Sequence, residues 1–201
     1  MRRIGETHNK LYELTGYRLH GDAYLIQAFT DISASKVLNN TDFIAYGNDV
    51  LTFYADIIIH ERYGTFRSFN SIREASDNGY AIKGSYFSGT AKSLQKKLIS
   101  NETLASIVDK YELFPGYDTH IIYNENDQAL TSAKANLFRA IIGAYFVTFN
   151  GKYEILKSVV QRVLPFNSVF KVYEESSKLD LPFIPDLSKA VTQLKEFHEM
   201  G

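Results

Sequence analysis

Apolar residues recur at spacings of three and four along most of this chain, the period of a helix with one buried face. The clearest run spans residues 41–63, where Phe43, Tyr46, Val50, Phe53 and Ile57 trace a single stripe. That stripe predicts a long helix with a core-facing side, closed by Gly64. Shorter helices are expected at 6–15, ending before Gly16, and at 22–30 behind the acidic Asp22. Residues 65–82 are rich in Ser, Asn and Gly and read as loop. Helices resume at 90–98 and 101–111, and Pro115-Gly116 marks a turn. A strongly apolar helix follows at 131–149 and another at 151–163, which Pro165 ends. Behind Asp186, Leu187, Val191, Leu194 and Phe197 form the stripe of a last helix. The pattern predicts an all-α fold.

Composition narrows the class. The chain has 201 residues, 45% of them hydrophobic and 22% charged, enough for one domain with a sizeable core. It has no cysteine, which excludes disulfides, cysteine-zinc sites and a cysteine nucleophile. No apolar stretch approaches a membrane span, and the first ten residues lack the apolar segment of a secretory signal. An intracellular location is expected, the cytoplasm first and an organelle matrix second. The net charge of −1 gives no overall basic surplus for gripping nucleic acid. Local basic groups remain, above all Lys92, Lys96 and Lys97, read either as a solvated helix face or as an RNA contact. His8, His20, His60, His120 and His198 show no metal-ligand spacing.

Four blocks carry a family resemblance. Residues 16–33, GYRLHGDAYLIQAFTDIS, resemble the opening of ribonuclease III domains. Residues 40–51, NTDFIAYGNDVL, align without a gap on that family's signature motif. Residues 98–113, LISNETLASIVDKYEL, resemble its Ser-Asn-Glu helix, and residues 135–151, ANLFRAIIGAYFVTFNG, its second site helix. Together the blocks cover about residues 10–163 in the family's order. The resemblance divides the chain into a ribonuclease III-like domain at 1–164, with a loop insertion near 65–82, and a C-terminal extension at 165–201. No double-stranded-RNA-binding domain is expected in that extension.

Such a resemblance implies a dimer that hydrolyses double-stranded RNA with magnesium held by four carboxylates. Those positions here are Ile44, Asn48, Asn136 and Arg139, so every carboxylate is missing. Ile44 cannot ligate a metal, and the amide oxygens of Asn48 and Asn136 are neutral. Arg139 brings a positive charge, which repels a cation at about 4 Å by roughly 1 kcal/mol per unit charge even in water. No catalytic residue and no metal ligand is therefore assigned. Arg139 is a candidate for a structural bond or for a phosphate contact. The alternative is an endonuclease with a rearranged magnesium or manganese site built from Asp42, Asp49 or Glu102. A protein-interaction module without RNA contact is the third reading. Asp31 stands where the family has a histidine, and Ala45 where it has a phenylalanine that packs into the partner subunit. Phe43, Ala45 and Tyr46 are the candidates for a surface shared with a second copy or with a ribonuclease III-like relative.

Overall fold

The computed structural model describes residues 2–63, 84–124 and 127–177. The chain divides into two compact units, 1–166 and 167–201. The loop insertion near 65–82, the closing Gly64 and the last helix behind Asp186 lie outside the described residues.

Among the described residues the helices are α1 (Arg2–Thr15), α2 (Asp22–Ala28), α3 (Thr41–Tyr63), α4 (Gly84–Leu98), α5 (Asn101–Lys110), α6 (Gln128–Thr148), α7 (Tyr153–Val163) and α8 (Phe166–Ser177). A 3-10 turn at Phe114–Gly116 sits where Pro115-Gly116 predicts a turn. Among the described residues there is no strand, only a parallel bridge between Thr30 and Asp118. The all-α expectation holds. α1 and α4 start several residues earlier than their apolar stripes suggest, and α6 starts at Gln128 because Asp127 caps it. The Asp127 carboxylate accepts the Ala129 N–H at 2.9 Å, replacing one of the bonds a helix start lacks. α7 starts later than expected, since Asn150 and Gly151 turn the chain with positive φ.

Pro165 ends one helix, as the sequence predicts, and also precedes another, Phe166–Ser177. A proline before a helix costs nothing, since the first amides have no intrahelical partner anyway. Phe166, Val169, Phe170 and Tyr173 then recur at helical spacing.

α6 is the hub of the first unit. Leu137, Phe138, Ala140, Ile141, Ile142, Ala144 and Tyr145 are all fully buried. Its middle, residues 140–145, is buried on every side, and α3, α5 and α2 pack around the helix. α3 crosses it most intimately. A Cβ on Gly47 would lie 1.8 Å from the Arg139 carbonyl oxygen, and one on Gly143 would lie 2.1 Å from the Phe43 carbonyl oxygen. The two backbones touch twice, Phe43 level with Gly143 and Gly47 level with Arg139. α7 is amphipathic, burying Leu156, Val159, Val160 and Val163, and packs on α1 and α3.

The stripe read from the sequence is not the face α3 buries. Phe43 and Val50 are in the core, but Tyr46 and Phe53 are 45% and 55% exposed. Gly47, Leu51, Tyr54, Ala55, Ile58 and Ile59 complete the real core face. The glycine carries no hydrophobicity, so periodicity alone does not see the contact that orients the helix.

The crossing makes a sharp expectation. Gly47→Ala or Gly143→Ala should each cost about 2 kcal/mol or more, at the upper end of overpacking. Gly5→Ala, in α1 with nothing within 4 Å of its would-be Cβ, should instead add up to about 1 kcal/mol. Urea unfolding midpoints of the three variants check the contrast.

Candidate functional site

The α3–α6 crossing sets the four motif positions. Ile44 and Asn48 flank Gly47 on α3, and Asn136 and Arg139 share one face of α6. Ile44 is half-buried and Asn48 exposed, and the Asn48 side chain makes no hydrogen bond with any described residue. Asn136 and Arg139 are half-buried. Asn136 Oδ1 accepts from Arg139 Nη1 at 3.2 Å. Arg139 Nη2 donates to Asn101 Oδ1 at 3.0 Å and to the Ile99 carbonyl at 3.3 Å.

All of these acceptors are neutral. Burial pulls the Arg139 pKa below its ordinary value, yet a guanidinium stays charged at neutral pH. Three of its five N–H groups have partners and two remain. The arginine thus ties α6 to the α4–α5 junction, bonding to Asn136 and a carbonyl but not to Asn48. Asn101 is the residue that sequence reasoning missed. Its Nδ2 also donates to Ser132 Oγ at 3.4 Å, so one amide joins the start of α5 to α6 twice. The Ser-Asn-Glu block carries the signal, an amide beside the more conspicuous charge of Glu102.

Glu102 itself serves the helix start. Its own backbone N–H, Ser100 and Gln128 hold its carboxyl below the usual range, against slight desolvation. Ser100 caps α5 by accepting the Thr103 N–H at 3.2 Å. Asp42 lies exposed in the first turn of α3. Asp49 lines a cleft with Phe53 and Tyr54. Among the described residues, no three His, Asp or Glu side chains converge as a metal site.

Lys92, Lys96 and Lys97 are exposed on α4. Lys96 and Lys97 lie in its last turn, just before the Ile99 carbonyl that holds Arg139. Gln95 Nε2 donates to the Thr52 carbonyl at 3.4 Å and fixes this turn against α3. Of the candidates for a shared surface, Ala45 and Tyr46 are exposed. Phe43 requires correction. It is 4% exposed, packed edge-on to Tyr24, with its backbone against Gly143. Its side chain has no free surface to offer a partner.

Asp31, in place of the family's histidine, anchors a polar cluster. Its carboxylate accepts from Tyr117 Oη at 2.7 Å and from the Ser33 N–H at 2.8 Å. Asn40, 1% exposed, donates through Nδ2 to Tyr117 Oη and to the Ala28 carbonyl. The Asn40 carbonyl then receives the Ile44 N–H at 2.9 Å, the first bond of α3. Burial works to raise the Asp31 pKa, but hydrogen bonds from Ser33, Tyr117 and Ile32 outweigh it and hold it below the usual value. Burial, with the Asp31 bond, pushes Tyr117 well above an ordinary phenol.

Two outcomes follow. Arg139→Met leaves Asn101, Asn136 and the Ile99 carbonyl without donors, and should cost about 1–3 kcal/mol in urea unfolding. Asp31 has a depressed folded-state pKa, so its contribution is present at neutral pH and is lost as pH falls through that value. Asp31→Asn should therefore lower stability near pH 7 by about 1 kcal/mol. The deficit should shrink toward zero in acid melts, where the wild-type carboxyl is also protonated.

No protein-family model and no curated protein matches this sequence. Solved structures do. One nuclease domain of ribonuclease III from Campylobacter jejuni, described for structural flexibility in a region involved in dimer formation, is 20% identical with a TM-score of 0.57. The match covers 81% of this chain and 97% of that one. A second structure of the Campylobacter jejuni domain is 19% identical with a TM-score of 0.58, covering 81% of this chain and 94% of its own. The helical frame around the α3–α6 crossing is that of a ribonuclease III nuclease domain.

Proposed function

We propose that this chain is a non-catalytic ribonuclease III-like protein that binds structured or double-stranded RNA, pairs with other proteins in RNA processing, or does both. The observation that carries this reading is the Arg139 guanidinium, held by Asn136, Asn101 and the Ile99 carbonyl at the position of a carboxylate. Two divalent cations need several anionic oxygens around them. The present set offers a methyl-bearing side chain, two neutral amides and a fixed positive charge. These residues do not fit the metal pair, and no hydrolytic step is assigned to them. A rearranged site finds little support, because among the described residues Asp42, Asp49 and Glu102 do not converge with other His, Asp or Glu side chains into a metal-holding group.

RNA contact rests on charge. Arg139 keeps two unspent N–H donors, and Lys96 and Lys97 leave α4 beside the junction that holds it. Arg and Lys so placed suit phosphate oxygens. Pairing rests on the exposed Ala45 and Tyr46, in a homodimer or with a ribonuclease III-like relative. A second reading, a protein-interaction module without RNA, is favoured by the net charge of −1 and the exposed aromatic side of α3.

Long duplex RNA with magnesium or manganese is the test. It should remain uncut while binding at low salt and dissociating steeply as salt rises. Lys96→Gln with Lys97→Gln should weaken binding and flatten the salt slope by about one unit per lost phosphate contact. Cleavage abolished by Asp49→Ala would establish the rearranged enzyme instead. Absence of binding at low salt would leave the protein-interaction reading.

A further inference from the structure

The uncovered side of α3 forms a pocket of specific chemistry. Tyr46, Asp49, Val50 and Phe53 share one helical face, and Tyr54 and Phe146 close around them a cleft of about 270 Å³. The Tyr46 ring lies 5.8 Å from Phe146, and Phe53 meets Tyr54 edge-on at 5.1 Å. Tyr153 backs Tyr54 at 5.4 Å. The one charged lining group is Asp49, which is exposed and makes no hydrogen bond or ion pair with any described residue. Beneath it Tyr54 is held above an ordinary phenol, first by burial and then by Tyr153 and Glu154. The basic group near this wall, Lys157, is already committed. Its Nζ pairs with Glu61 at 2.6 Å and rests 5.8 Å from the Tyr153 ring centre.

Ring faces carry partial negative charge and attract cations, most strongly where water is excluded. A carboxylate without a counterion beside four rings repels phosphate and gains nothing from a neutral apolar group. Among cations, a guanidinium is planar, weakly hydrated and able to pair with a carboxylate through two parallel bonds while stacking on a ring. The volume lies just under the roughly 300 Å³ at which pockets for drug-sized ligands begin, so it suits one side-chain head. We infer that this cleft is a docking pocket for an arginine side chain of a protein partner, stacked among Tyr46, Phe53, Tyr54 and Phe146 and paired with Asp49. The inference does not rest on the RNA reading, and either can fail without the other.

Backbone-amide NMR of the full chain, titrated with N-acetyl-arginine amide, tests it. Saturable shifts are expected at Tyr46, Asp49 and Phe53 by about 50 mM, the weak range open to a single side chain. The neutral isostere N-acetyl-citrulline amide should bind at least about tenfold more weakly, and Asp49→Asn should remove most of that preference. Asp49 is exposed, so the variant should keep the wild-type spectrum elsewhere. Shifts that are absent, equal for citrulline, strongest for a trimethyl-lysine amide or unchanged in Asp49→Asn would overturn the assignment.

Discussion

Two glycines fix the distance between α3 and α6, and most of the first unit depends on that distance. With Gly47 against the Arg139 carbonyl and Gly143 against that of Phe43, the backbones meet without side chains between them. The middle of α6, residues 140–145, can then be apolar on every side, because α3, α2 and α5 pack closely around the helix. The crossing also fixes the level at which residues 44, 48, 136 and 139 stand. The frame of a ribonuclease III nuclease domain can therefore form here with Ile44, Asn48, Asn136 and Arg139 at those levels. The glycines serve packing, whose requirements do not change with the chemistry of the neighbouring positions.

Around that crossing, polar groups act as joints. Arg139 and Asn101 tie α6 to the start of α5. Asp31, Tyr117 and Asn40 hold the turn from which α3 begins. Thr15 donates to the Leu11 carbonyl at 2.7 Å and lies 2.9 Å from Tyr145 Oη, which donates to the Tyr17 carbonyl at 2.8 Å. Burial pushes the Tyr145 phenol up to about 12, so it stays a neutral donor throughout the physiological range. Each joint satisfies groups that would be costly to bury alone. A guanidinium bonded to two amides and a carbonyl is such a joint, with its charge held among neutral acceptors.

α3 has two apolar sides, and they do different work. One carries Gly47, Leu51, Tyr54, Ala55 and Ile58 into the core. The other carries Tyr46 and Phe53 to the surface, with Asp49 between them. Exposed aromatics grouped beside an unpaired acid are not what a solvated helix face looks like. Recognition in this protein is therefore to be sought on two chemically opposite surfaces, a basic one at the α4–α5 junction and an acidic aromatic one on α3.

The sequence by itself determined the helical class, the place of most helices and the absence of an acid at residues 44, 48, 136 and 139. Those features are local: spacings of three and four, the Asp127 and Ser100 caps, the identities of residues 44, 48, 136 and 139. It did not determine which side of α3 is buried, since Gly47 orients the helix by what it lacks and hydrophobic periodicity has no sign for that. Nor did it reveal the helix after Pro165, whose start signal reads equally as a stop. Only the tertiary structure decided what Arg139 does, because its partners Asn101 and Ile99 lie about forty residues away and meet it through the packing of α5 on α6. The same holds for Asp49, a solvated acid in the sequence and the charged wall of a cleft once Phe146 is folded against Tyr46.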